Sequence, residues 1–155
     1  MNDAEFMGEA IALAGEASIL GEIPVGAVVV RDGKIISRSF NENRARRDPT
    51  MHAEIIAIKK ACEALGNERL TGCDLYVTKE PCAMCAGAIV HARIRRLVIG
   101  TPDIKYGACG TVLDICGNPL LNHRPEILFG VKGDESAALL KEFFRQKRLR
   151  QAGNN

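Results

Sequence analysis

Two short segments constrain this chain more than any other part of it: His52-Ala53-Glu54, and Pro81-Cys82-Ala83-Met84-Cys85. One imidazole and two thiols can bind a zinc ion, while the Glu54 carboxylate stays free to move protons. Three protein ligands leave the fourth tetrahedral position to water, the arrangement of a catalytic zinc rather than a structural one. Residues i and i+2 diverge in mid-helix. In a first turn, however, side chains lean toward the N-terminus, so His52 and Glu54 can both aim beyond a helix end. Cys82 and Cys85 stand at i and i+3 and share one helix face. The pattern therefore asks for a fold in which two helix N-termini meet, where partial positive charge and zinc together favour thiolates. Zinc lowers the pKa of bound water to about 7. Glu54 can then carry a proton from that water to a substrate nitrogen. Attack on an amidine-like carbon of a purine or pyrimidine, with loss of ammonia, needs those parts. Spacing alone leaves other roles open. Cys82 and Cys85 could be a redox pair or buried thiols, and His52 a core histidine. A fourth ligand from Cys109 or Cys116 would make the metal structural.

The rest of the chain reads as alternating elements. Residues 3–20 carry Phe6, Ala10, Leu13, Ala17 and Leu20 at helical spacing, and Gly21 stops them. Residues 25–30 are apolar nearly throughout, which predicts a strand buried on both faces. Asp32-Gly33 is a two-residue hairpin signal, so residues 34–40 should return antiparallel. A polar loop over 41–47 precedes Asp48-Pro49, a helix start with Asp48 or Thr50 as cap, and the helix runs from 51 to 65. A strand at 74–78, a helix at 82–92 and a strand at 97–99 follow with short connections, predicting a parallel pair. Residues 101–124 show no period, and so long a loop in a small domain is usually functional. A fifth strand is expected at 127–131 and a last helix at 135–150, leaving 151–155 as a disordered tail. Leu139, Leu140, Phe143 and Phe144 should face inward.

A chain of 155 residues with 46% apolar content fits one domain, expected over 1–150. No stretch is long and apolar enough for a membrane helix, and the N-terminus is acidic where a signal peptide would be basic. A cytoplasmic location follows as the expectation, and there six cysteines suggest metal and buried thiols rather than disulfides. Charge is unevenly spread. Residues 1–30 hold five acids and no Lys or Arg, which leaves +7 on the remainder of a chain whose net charge is +2. The bases gather at Arg44-Arg46-Arg47, at Arg93-Arg95-Arg96 and over 141–150. Such a patch suits a polyanion such as RNA, or is simply solvated surface. His123, between Asn122 and Arg124, could touch a phosphate or stabilise its loop.

Asn41, residues 48–54 and residues 80–88 together resemble the cytidine deaminase-like superfamily, and more closely the bacterial tRNA-specific adenosine deaminases, the TadA family. Residues 100–111 (with Asp103, Lys105 and Gly107), Asn122-His123-Arg124 and Phe143-Phe144-Arg145 with Lys147-Arg148 strengthen the likeness. Tyr106 and Cys109 fall at loop positions that vary in the family. The resemblance implies a three-layer α/β fold, a five-stranded mixed sheet with helices on both faces, and a homodimer. The small-residue run Ala86-Gly87-Ala88 permits close helix packing. The resemblance also implies one zinc per subunit on His52, Cys82 and Cys85, and a proton shuttle at Glu54. Asn41 and the backbone of Ala53 would contact the base, and Asp103, Lys105, Asn122, Phe144 and Arg148 would contact RNA. The implied reaction is hydrolysis of adenosine to inosine at the wobble position of a tRNA anticodon stem-loop. A deaminase of a free base or nucleoside, such as guanine or cytosine, would need the same metal site but no basic rim. A non-catalytic RNA-binding zinc module would need a fourth ligand and no role for Glu54.

Overall fold

The computed structural model describes residues 1–153. The elements are α1 (Asp3–Ile19), β1 (Gly26–Arg31), β2 (Lys34–Phe40), α2 (Asn43–Arg46), α3 (Ala53–Leu65), β3 (Cys73–Lys79), α4 (Ala83–Ala92), β4 (Arg96–Thr101), β5 (Glu126–Phe129) and α5 (Gly133–Gly153). The five strands form one mixed sheet in the order β2-β1-β3-β4-β5. β1 pairs antiparallel with both β2 and β3. β4 runs parallel to β3 and to β5.

Strand alternation sorts the core into two layers. Ala27, Val29, Leu75, Val77, Leu97 and Ile99 point to the face covered by α3 and α4, where Ala53, Ala57, Ala86 and Ile89 meet them. Val28, Val30, Tyr76 and Val98 point to the other face, against Phe6, Met7 and Ala10 of α1. α5 packs on that second face too, with Ser136 at Gly100 and Thr78. The expected helices on both faces of a five-stranded mixed sheet are present. β1 is buried along its first five residues, as its apolar run predicts. Gly26 lets α1 lie directly on it: a Cβ there would sit 1.9 Å from the Ala10 carbonyl oxygen.

Local chemistry explains the ends of the elements. Asn2 and Glu5 form a capping box at the start of α1. Asp32 and Gly33 both take positive φ, 50° and 75°, the geometry of a tight two-residue hairpin turn. α3 begins at Ala53, two residues later than Asp48-Pro49 suggests, because Asp48 Oδ1 is spent on the amide and hydroxyl of Thr50 at 2.8 and 2.7 Å. The loop expected over 41–47 contains the one-turn helix α2, whose amides at Arg44 and Ala45 are capped from afar by Glu22 at 3.0 and 2.8 Å. β5 ends at Phe129, two residues early. The expected tail is corrected in part. α5 continues through Gly153, so residues 151–153 are helical, and residues 154 and 155 lie outside the described residues.

The strand directions gather strand termini at one end of the sheet. β1 opens there, β2, β3 and β4 close there, and the loops carrying Asn41, Glu80 and Asp103 all leave from that end.

Candidate active site

His52 is the N-cap residue of α3 and Cys82 the N-cap residue of α4. Neither side chain caps its own helix, so both are free to face each other. His52 Nδ1 lies 3.6 Å from Cys82 Sγ and 3.4 Å from Cys85 Sγ. All three donor atoms fall within 4.8 Å of one another. Zinc–ligand lengths of about 2.3 Å to sulfur and about 2.0 Å to nitrogen put tetrahedral ligands roughly 3.5–3.8 Å apart, so the donor set fits zinc in type and spacing. Among the described residues neither Cys109 nor Cys116 joins this group. Their sulfurs lie 3.5 Å apart from each other, buried, with Cys116 against the Ala86 carbonyl.

α3 is pinned where the ligand needs it. Ser37 Oγ donates to the Ala57 carbonyl at 2.8 Å, and Ser39 Oγ donates to the Ala53 carbonyl. Asn41 Oδ1 accepts from the Ala53 amide at 2.8 Å, while its Nδ2 donates to the Ile23 carbonyl at 3.1 Å. Asn41 and the Ala53 amide, both expected at the base, are thus bonded to each other.

A cavity of about 1200 Å³ opens over this cluster. His52, Glu54 and Cys82 line it together with Asn41. One side is formed by Glu22, Ile23 and Arg44, another by Lys79, Asp103, Ile104, Lys105 and Tyr106. α5 closes the third with Phe143, Phe144, Lys147 and Arg150.

A family model for MafB19-like deaminases matches residues 1–148. The tRNA-specific adenosine deaminase of Agrobacterium fabrum is 51% identical over 144 residues, covering 93% of this chain and 95% of that one. The Haemophilus influenzae protein of the same name is 46% identical, covering 94% and 85%. The chain belongs to the tRNA-specific adenosine deaminase family. A solved structure from work on A-to-I editing by tRNA:A34 deaminases superposes with a TM-score of 0.85 at 49% identity, covering 88% of this chain and 99% of that one. A guanine deaminase from Nitrosomonas europaea superposes at 0.79 with 25% identity, covering 90% and 83%.

In this member of the tRNA-specific adenosine deaminase family, the electrostatics of the cluster follow from burial and proximity. Glu54 is 4% exposed, and desolvation raises its carboxyl pKa above the ordinary value. The hydrogen bond to Cys82 raises that of His52, with burial opposing. Cys82 is pulled down to about 3, first by the Cys85 thiol and then by His52. Cys85 is pushed up by that same hydrogen bond and by burial.

Asp103, Lys105 and Phe144 line the cavity, whereas Asn122 and Arg148 do not. His123 Nε2 donates to the Ile94 carbonyl at 2.6 Å, which is the loop-stabilising alternative. Sequence reasoning missed Lys79, Arg44, Tyr106 and Arg150 as wall residues. Lys79 had a signal: it directly precedes Glu80-Pro81-Cys82 at a strand end.

Proposed function

We propose that this chain hydrolyses adenosine to inosine at the wobble position of a tRNA anticodon. One zinc would be held by His52, Cys82 and Cys85 within a single domain over residues 1–150. The observation that carries the reading is the three-donor cluster at zinc spacing, beside a buried carboxylate, at the base of a cavity with basic and aromatic walls.

The metal, when bound, lowers the pKa of a water it holds to about 7 and so supplies hydroxide at neutral pH. Glu54 accepts one proton of the attacking water at its carboxylate and gives it to the purine ring nitrogen, then takes the remaining proton from the new hydroxyl and gives it to the departing amine. The carbon–oxygen bond forms, the carbon–nitrogen bond breaks, and ammonia leaves. Burial suits Glu54 to this work, since a raised pKa brings a carboxyl nearer the neutral range in which it must both take and give a proton. Asn41 holds the Ala53 amide and orients the α3 N-terminus at the base. A flipped base needs such a pocket, and its flanking nucleotides need the surrounding rim. Asp103, Lys105 and Phe144 stand on that rim, with Asn122 and Arg148 as outer contacts.

A homodimer in the cytoplasm is part of the proposal. α4 exposes Met84, and the loop that packs on α4 exposes Val112, Leu113, Leu120 and Leu121, apolar side chains that a second subunit would cover. No helix among the described residues is long and apolar enough to cross a membrane.

The test is incubation of the zinc-loaded protein with an anticodon stem-loop carrying a wobble adenosine. Inosine is expected. Its absence, with zinc present, overturns the reading. The likeness to a guanine deaminase favours a second reading, a free-base deaminase. Ammonia release from guanine or cytosine without RNA turnover would select it.

A further inference from the structure

We propose that Glu80 is a positioning residue for the reaction, the anchor that holds the loop after β4 in place as the substrate wall of the cavity. The inference rests on the deaminase reading above. Glu80 is 3% exposed and stands two residues before Cys82. Its Oε1 accepts from the Asp103 amide at 3.1 Å and from the Thr111 hydroxyl. Its Oε2 accepts from the amides of Cys109 and Thr111 at 3.0 and 3.3 Å. Backbone bonds repeat the attachment: the Glu80 amide donates to the Thr101 carbonyl and the Ala108 amide to the Pro81 carbonyl, both at 2.9 Å.

A buried carboxylate is costly unless donors surround it. Here the donors are four, three of them backbone amides of one loop, and no Lys or Arg among the described residues pairs with it. The loop closes around the carboxylate so tightly that a Cβ on Gly107 would lie 2.4 Å from Glu80 Cδ and 2.5 Å from the Asp103 carbonyl oxygen. The arrangement is a nest of N–H groups around an anion that the protein itself supplies. An apolar side chain at position 80 would leave all of those donors without their acceptor, and a glutamine would leave the ones that face its N–H₂.

The consequence is felt at the wall. Asp103, fixed by its amide on Glu80, accepts through Oδ1 from the amides of Lys105 and Tyr106 at 2.9 and 3.1 Å. Its Oδ2 meets Lys79 Nζ at 3.1 Å. The placement of Lys105 and Tyr106 on the cavity, and of the carboxylate that meets Lys79, therefore descends from one carboxylate that borders the same cavity and stands outside the metal-donor group. Glu80 should govern how RNA is held and leave the proton transfers at Glu54 alone.

The experiment compares wild type with Glu80→Gln and Gly107→Ala, each zinc-loaded. The readouts are zinc content, hydrogen exchange of the loop amides, and the kinetics of a wobble-adenosine stem-loop. Gln keeps the shape but sets an amide N–H₂ against N–H donors. Both variants should keep their zinc, exchange the amides of Asp103, Cys109 and Thr111 about tenfold faster or more, and raise KM about tenfold with kcat nearly unchanged. Loop exchange as slow as in wild type, or a fall in kcat with KM unmoved, overturns the proposal. Should both variants fail to fold, Thr111→Val removes only an exposed residue's hydroxyl. It should raise KM and loop exchange about threefold, and no change in either would again overturn the proposal. If wild type turns over no RNA, the deaminase reading fails, and the exchange comparison still decides the role of Glu80 in holding the loop.

Discussion

Glu54 and His52 are two residues apart in the chain and occupy different surroundings because of where α3 begins. With His52 at the N-cap, its imidazole turns to the two sulfurs, while Glu54 enters the first turn and is buried beside them. Glu54→Ala should therefore keep zinc and lose inosine formation by about 10²–10⁴-fold, the usual worth of a positioned acid–base group. Metal analysis alongside the deamination assay checks both halves, and retained turnover would remove Glu54 from the mechanism. Residues of this kind were legible in the sequence because each motif is local: i and i+2 at one helix start, i and i+3 at another. Lys79, Arg44 and Arg150 were not, since no spacing rule links a strand end, a one-turn helix and the far end of α5. Only the end of the folded sheet brings them to one cavity. Asn122 shows the opposite case: it resembles the family's pattern yet stands away from the cavity wall.

The elements themselves read well where their signals are local and poorly where they are held from a distance. The Asp32-Gly33 turn and the β3-α4-β4 parallel pair came from short-range patterns. α2 has four residues and no period, and its cap, Glu22, lies more than twenty residues upstream. α1 is tied down by a comparable long-range contact. Tyr76 donates to Asp3 Oδ1 at 2.6 Å, and the Arg96 guanidinium donates to both carboxylate oxygens at 3.1 and 2.9 Å. The Arg96 hydrogen bonds, then that of Tyr76, hold the Asp3 pKa below its ordinary 3.8. A depressed carboxyl adds stability above its unfolded value and loses it as pH falls through the folded one. Wild type should thus be more stable than Asp3→Asn at neutral pH, and the gap should close below about pH 4. Thermal midpoints of the two proteins across pH 2–8 measure this, and a constant gap would show that Asp3 acts through shape alone.

At the scale of the molecule, the charge asymmetry becomes geometry. The acidic N-terminal helix lies on one face, and the basic stretch of α5 reaches the cavity through Lys147 and Arg150 rather than Arg148. Lys147→Gln and Arg150→Gln should each weaken stem-loop binding and reduce the slope of log affinity against log salt by about 1, more than Arg148→Gln does. Equal effects from all three would mean that the helix binds only as diffuse charge. Sheet order was the least legible level. The hairpin and the crossover unit each announced themselves, but their joining through β1 and β3 is a pairing of residues some fifty apart that no local pattern encodes. His52 follows the hairpin and Cys82 and Cys85 belong to the crossover unit, so a metal on all three would close a ring of chain across that seam. It would act as a clasp between two halves of the architecture as well as a reagent. Chelation should then lower the unfolding midpoint by about 5–10 °C when free zinc had stood at a hundred times its dissociation constant. Amides along the β1–β3 seam should be the first to lose protection, and the molecule would come apart where its two motifs had been buckled together.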